Sequence, residues 1–335
     1  MKLALMKCCS LEAVRFCKVL LAAVLALTAP GCAQQQRTKV LETAYVRSGD
    51  VPLRDQLGPT SNLVTTLDAG QKVEVLDKRA RWVQIRLADG KTGWVHSRML
   101  ASQELFDQFR RLLDDTASLN SQGKATIRRA ANLHLEPDGR TESLHRLLEE
   151  ELVDVLAHRV AERSGPPGQG SKMGNAELQQ DDTAQIQISR YEDWMLVRAS
   201  GRRAGWVRES SLDMAPPIEI ARYNEELRIR AWFVLYQEQN KGETHPWYLW
   251  ATIHPQPGLP FDYDEIRIFV WNPGKSRYET SYRERNLIGF YPVKISMVNS
   301  PAGPTPAFSL ELEDTAGRRF HKNYVMAGRL VKALP

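Results

Sequence analysis

Residues 82–95, WVQIRLADGKTGWV, return as residues 194–207, WMLVRASGRRAGWV, at equal length and with both tryptophans in register. In WVQIRL, Val83, Ile85 and Leu87 alternate with Trp82, Gln84 and Arg86, the period-two pattern of a half-buried strand. Asp89-Gly90 then supplies a tight turn, because glycine tolerates positive φ. A two-residue loop there puts Trp94 beside Ile85 in the core, and a three-residue loop puts it beside Gln84 outside; both registers stay open. A stretch that reads as a β-hairpin and occurs twice predicts two related β modules.

Working outward, residues 40–100 hold AYVRSGDVPLRD, LDAGQKVEVLD and the hairpin, short β-branched runs punctuated by Gly, Pro or Asp. The pattern resembles a bacterial SH3 domain, carried here by Tyr45, Val46, Arg47, Leu53, Gly70, Val73, Val75, Trp82, Gly93, Trp94, Val95 and Leu100. The resemblance implies a small five-stranded barrel of a kind found in cell-envelope proteins. A second copy is expected over 124–214, where Ile127-Arg128 answers Val46-Arg47, Leu133 answers Leu53, and Val153 and Val155 answer Val73 and Val75. Glu150 stands where the first copy has Gly70, and Leu144, Leu147, Leu148, Leu152 and Val155 would also make a helical stripe; the repeat favours strand for 153–156. The second copy carries an insertion over about 160–186, which includes ERSGPPGQGSKMGN and whose composition predicts a flexible loop.

Between the copies, residues 101–123 read as a helical linker, with Ser102 as cap and Leu105, Phe106, Phe109, Leu112 and Leu113 on one face. Pro216-Pro217 marks the next boundary, and residues 216–335 form a β-rich C-terminal domain of strands punctuated by Pro and Gly. In PWYLWATIHP, alternation puts Trp247 on the face opposite Tyr248 and Trp250. The fold class is therefore mainly β: two SH3-like small barrels joined by a helix, plus a C-terminal all-β domain.

At the N-terminus, Lys2, Lys7, Arg15 and Lys18 lead into VLLAAVLALTA, a run too short to span a bilayer but suited to a signal peptide over 1–31. The following Ala29-Pro30-Gly31-Cys32 resembles the lipobox of bacterial lipoproteins, which implies lipidation of Cys32. The alternative is cleavage past Cys32 and a soluble exported protein. Cys8, Cys9, Cys17 and Cys32 are all the cysteines, so the body beyond them has no disulfide, thiolate nucleophile or cysteine metal site. Removing 1–31 takes away four positive charges and one negative, leaving +2 of the +5. So small a charge gives no reason to expect a nucleic-acid partner.

Trp82 and Trp194 share their strand faces with Gln84, Arg86 and Arg198, and an aromatic on a wet face is a ligand-binding candidate. Arg47 and Arg128 are candidates for pairing with a carboxylate ligand, and equally for a solvated strand face. Trp94 and Trp206 are read as mainly structural, and Gly93 and Gly205 as sites of close backbone packing. Asp262, Asp264 and Glu265 are close in sequence but lack the glycine and terminal glutamate of a calcium loop, and no metal site or cofactor is assigned. The seven histidines show no zinc spacing, and there is no nucleophile elbow or phosphate loop, so no catalytic residue is assigned.

Together these features predict a non-catalytic envelope protein, lipid-anchored at Cys32, facing the periplasm from the outer membrane or secreted. Its expected partner is peptidoglycan or another envelope protein, with two weak sites gaining from valency. The alternatives are an assembly protein whose barrels are spacers and whose C-terminal domain binds the partner, and an enzyme with paired buried carboxylates in that domain.

Overall fold

The alternation in WVQIR becomes alternating burial: Val83 and Ile85 enter a core with Val46, Leu53, Val73, Val75 and Val95, while Trp82, Gln84 and Arg86 stay half exposed. The computed structural model describes residues 39–58, 60–163, 190–240, 242–301 and 303–334. The signal peptide, Cys32 and most of the expected insertion lie outside these residues. Among them are three seven-stranded sheets.

The first sheet comprises β1 (Glu42–Val46), β2 (Val51–Arg54), β3 (Leu63–Leu67), β4 (Lys72–Arg79), β5 (Trp82–Arg86), β6 (Thr92–His96) and β7 (Leu100–Ser102), in the order β3-β2-β6-β5-β4-β1-β7. The hairpin register left open by the sequence is the outward one: Gln84 faces Trp94 and Ile85 faces Gly93. Gly93 has to be glycine, because a Cβ there would lie 2.6 Å from the Arg54 carbonyl oxygen and 2.7 Å from Leu53 Cγ.

The second sheet comprises β8 (Lys124–Ile127), β9 (Ala131–His134), β10 (Ser143–Leu147), β11 (Leu152–Glu162), β12 (Tyr191–Ala199), β13 (Arg203–Arg208) and β14 (Leu212–Met214). Its order, β10-β9-β13-β12-β11-β8-β14, repeats the first position for position. The register shift in β4 between Val75 and Asp77 recurs in β11 between Val155 and Ala157. A Cβ at Gly205 would meet Leu133 Cβ at 2.7 Å, as at Gly93 in the first sheet. The helical alternative for 144–155 does not occur, since Leu144, Leu147, Val153 and Val155 enter one core from two strands.

Glu150 adopts the backbone that Gly70 adopts, with φ of 62° against 76°, and each amide donates to the matching carbonyl, Ile127 or Val46, at 2.8 Å. The lost glycine leaves the turn intact and adds strain, because a side chain is disfavoured at positive φ. Val160, Ala161 and Glu162, expected within a flexible insertion, belong to β11 and pair with Asp193, Glu192 and Tyr191. The β11–β12 hairpin is thus longer than its β4–β5 counterpart, which ends at the Arg79–Trp82 pair.

Helix α1 (Gln103–Thr116) joins the two sheets, with Ser102 Oγ accepting the Leu105 amide at 3.1 Å. Leu105 and Phe109 enter the second core. Phe106 stacks on Tyr45 of the first sheet at 3.8 Å, and the Tyr45 hydroxyl donates to Gln103. At the other end Arg198 donates to the Thr116 carbonyl at 2.8 Å, satisfying a helix terminus.

The third sheet runs in chain order: β15 (Arg228–Asn240), β16 (Glu243–Ile253), β17 (Tyr263–Asn272), β18 (Arg277–Ser300), β19 (Gly303–Glu313), β20 (Arg319–Ala327) and β21 (Leu330–Ala333). Both faces of β16 are buried, with Trp247, Leu249 and Ala251 in one cluster and Tyr248 and Trp250 in another. The second cluster includes Ile220 from the short helix α2 (Ile218–Ala221). β18 is 24 residues long because it pairs with β17 over its first half and with β19 over its second, and charge holds the polar first half: Arg283 and Arg285 bond the buried Glu265, and Glu284 bonds Lys322 and Tyr324. Asp262, Asp264 and Glu265 therefore face separate partners, and no metal-ligand cluster occurs among the described residues.

Two substitutions read this geometry in opposite directions. Glu150→Gly relieves the left-handed strain and raises stability by about 1 kcal/mol. Gly205→Ala forces the strands apart and lowers it by about 1–3 kcal/mol. Urea midpoints check both, and equal or reversed shifts would contradict the shared architecture.

Candidate functional site

Trp82 begins β5 at the end of the β4–β5 hairpin, where Ala80 turns with φ of 51°. Its indole is half exposed and lies 5.6 Å from the His96 ring, tilted by 58°. Slight desolvation and the positive charges of Arg98 and Arg81 hold His96 below the usual imidazole range. The face thus offers one large aromatic beside cationic groups. It is suited to stacking an apolar or sugar surface while attracting negative charge.

Trp194 does not repeat this arrangement. The sequence places it on a wet face, but it is 0% exposed. The longer β11–β12 hairpin puts it mid-strand opposite Arg159, in a cluster with Leu156, Leu196 and Trp206 that Leu112 of α1 also joins. The His134 ring meets it edge-on at 5.4 Å and the Arg208 guanidinium covers it at 5.1 Å. Trp194 is a packing residue, so the reading of two equivalent tryptophan sites is corrected.

Arg47 and Arg128 also differ. Arg47 donates to the Leu100 carbonyl at 2.8 Å, to the Ser143 carbonyl, and to Glu142 at 3.2 Å, tying the first sheet to the second. These bonds occupy the guanidinium and give it a joining role rather than a free ligand contact. Arg128 forks onto both oxygens of Asp213, whose pKa it lowers, and stands exposed. Trp94 and Trp206 lie outside the main apolar clusters of their sheets, yet are 7% and 5% exposed beneath Arg79 and Arg159.

The sequence reading missed a buried ionic network between the second and third sheets. His158 in β11, with its side chain 3% exposed, places Nε2 2.9 Å from Asp193 Oδ1 and Nδ1 2.7 Å from Asp262 Oδ1. Arg230 in β15 is fully buried, 2.9 Å from Glu209 and 3.6 Å from Asp193, and Arg228 holds the other Glu209 oxygen at 2.6 Å. Gly258 N donates to Asp193, and Tyr291 N donates to Asp262. The sequence gives no signal for this network: in RIRAWF, Arg228 and Arg230 hold the positions that alternate with Ile229, Ala231 and Phe233, and the partners of Arg230 lie far away in the chain.

A histidine whose two nitrogens both face carboxylates is held as imidazolium. Burial opposes that charge, but the bonds to Asp193 and Asp262 outweigh it and raise the His158 pKa. Burial likewise works against the Asp193 carboxylate, and His158 and Arg230 win, lowering its pKa.

Comparison with known families identifies a bacterial SH3 domain over residues 43–101 and a GW (Gly-Tryp) dipeptide domain over 164–213. The second range contains Gly205-Trp206. These two kinds of domain are typical cell-wall-binding modules. Comparison with curated proteins gives no match. Among solved structures, NlpC2 from Trichomonas vaginalis aligns at 9% identity over 86% of this chain and 97% of its own. Its TM-score is 0.18, and so loose a superposition carries no argument.

The network makes stability depend on pH with two limbs. The His158 contribution is complete below the ordinary imidazole pKa of about 6.5 and is lost as pH rises through the raised folded value. The Asp193 contribution is complete above the ordinary carboxylate pKa of about 3.9 and is lost as pH falls through the lowered folded value. The melting temperature should therefore be highest in weak acid, and His158→Gln should flatten the alkaline limb. An alkaline limb unchanged in the variant would contradict this assignment.

Proposed function

We propose that this chain is a non-catalytic binding protein of the cell envelope that engages peptidoglycan through its first module, at Trp82. The observation that carries the reading is the half-exposed Trp82 with its cationic neighbours, inside the segment matched as a bacterial SH3 domain. The GW match over 164–213 supports a wall-facing envelope or surface location.

The second sheet is also an SH3-like barrel in this reading, supported by its identical strand order, shared register shift and matching glycine. With its tryptophan buried, it serves as a fixed spacer between the first module and the C-terminal sheet. A binding rather than catalytic role is supported by Asp193, Asp262 and Glu209, whose charges are taken up by His158, Arg230 and Arg228. Carboxylates committed to buried ion pairs are poor proton shuttles. Cys32 is the proposed lipid anchor, holding the protein at the outer membrane.

Sedimentation with isolated peptidoglycan tests the central part. The protein should pellet saturably, and Trp82→Ala should weaken binding about tenfold, the scale of losing one aromatic anchor, without moving the melting temperature. Trp194→Ala should instead destabilise the fold by about 3–5 kcal/mol. Pelleting by Trp82→Ala equal to wild type would contradict the site. For the anchor, metabolic labelling with a fatty acid should mark the protein and not Cys32→Ser; equal labelling of both would contradict it.

A further inference from the structure

A cleft of about 560 Å³ opens where the first sheet, α1 and the second sheet meet. Phe106, Phe109, Leu113 and Leu144 supply its apolar lining. His145 sits there edge-on to Phe109, and burial together with the charge of Arg203 lowers its pKa to about 4, so it is neutral near neutral pH. Arg110 and Arg202 stand at the rim, both exposed.

Most other arginines in the clefts are paired, Arg163 at the edge of the cleft between the second and third sheets being exposed and, among the described residues, unpaired like these two. In the cleft between the second and third sheets, Arg128, Arg208 and Arg228 are committed to Asp213, Glu192 and Glu209. Arg203, beside Arg202, is held by Glu151 and the Ser200 carbonyl. Arg110 and Arg202 have no acidic or carbonyl partner among the described residues. Arg202 is also held at φ of 58°, following Gly201 at 68°, in the β12–β13 turn that points it into the rim.

We infer that this cleft binds a short peptide bearing a free carboxylate and small apolar side chains. Two unpaired guanidiniums recognise a carboxylate through charge-assisted hydrogen bonds. The phenyl and leucyl lining takes methyl-sized side chains, and neutral His145 can exchange a hydrogen bond with a peptide amide. Asp114, also in the lining, disfavours a polyanionic polymer. The inference deepens the wall-binding reading and rests on it for where such a peptide is met.

Calorimetric titration of the full chain with the tetrapeptide Ala-Glu-Lys-Ala tests it, against the same peptide with Gln for Glu and an amidated C-terminus. The carboxylate peptide should bind at least tenfold more tightly, and the exposed-site double variant Arg110→Glu, Arg202→Glu should lose at least tenfold of its affinity at unchanged melting temperature. Equal binding of the two peptides, or equal binding by the variant, would overturn the inference. Pelleting with peptidoglycan separates the two claims. If the double variant binds the peptide like wild type while wild type pellets and Trp82→Ala does not, the cleft is wrong and the wall-binding reading stands. If the arginine-dependent peptide binding is present but wild type does not pellet, the cleft stands and the wall-binding reading falls.

Discussion

Arg230 is entirely buried, and a guanidinium removed from water has to be answered by charge inside the protein. The answer comes from Glu209 beside β13 and Asp193 in β12, and Asp193 is shared with His158, which reaches on to Asp262 beside β17. Three positive and three negative groups, counting Arg228, thus close one balanced network across two sheets. Such a network adds less to net stability than its contacts suggest, since desolvation offsets much of the attraction. Parting the second sheet from the third would leave Arg230 and His158 without the carboxylates that face them.

Gln122 extends the same constraint to the linker after α1. Its amide donates to the Val155 carbonyl, its carbonyl accepts the Trp232 amide, and its side chain accepts the Val293 amide at 2.8 Å. Gly123 follows with φ of 133° because a Cβ there would lie 2.9 Å from the Trp232 ring. With α1 packed on both modules, the orientation set at the ionic network reaches the first module. One strand order then serves two ends: in the first sheet the hairpin stops at Trp82 and leaves it half open, and in the second it runs on and buries Trp194.

The sequence disclosed what periodicity carries. Val83 and Ile85, Trp247 against Tyr248, and the Ser102 cap are local facts, fixed by spacing alone. Glu150 was legible as a mismatch but not as a tolerated one, because its left-handed backbone is set by the turn around it. What failed was whatever depends on contacts distant in the chain. Trp194 looks like Trp82 until the extended hairpin and Arg208 cover it, and Arg47 looks like a free cation until Ser143 and Glu142 meet it. The cleft was invisible for the same reason: Ala69, Phe106, His145 and Arg202 come together only when three elements pack.

The central claim is that the modules are held in one fixed orientation, so that the face around Trp82 and the cleft along α1 are presented together. All four native cysteines lie in the first 32 residues, so they can be replaced by serine without touching the compact unit Leu41–Pro335. Spin labels at Lys91→Cys in the first module and Lys275→Cys in the third sheet would then report their separation by pulsed electron resonance. A single narrow distance distribution, broadened by Arg230→Ala, is the predicted result. A broad or multi-peaked distribution in the otherwise unaltered chain would contradict the account.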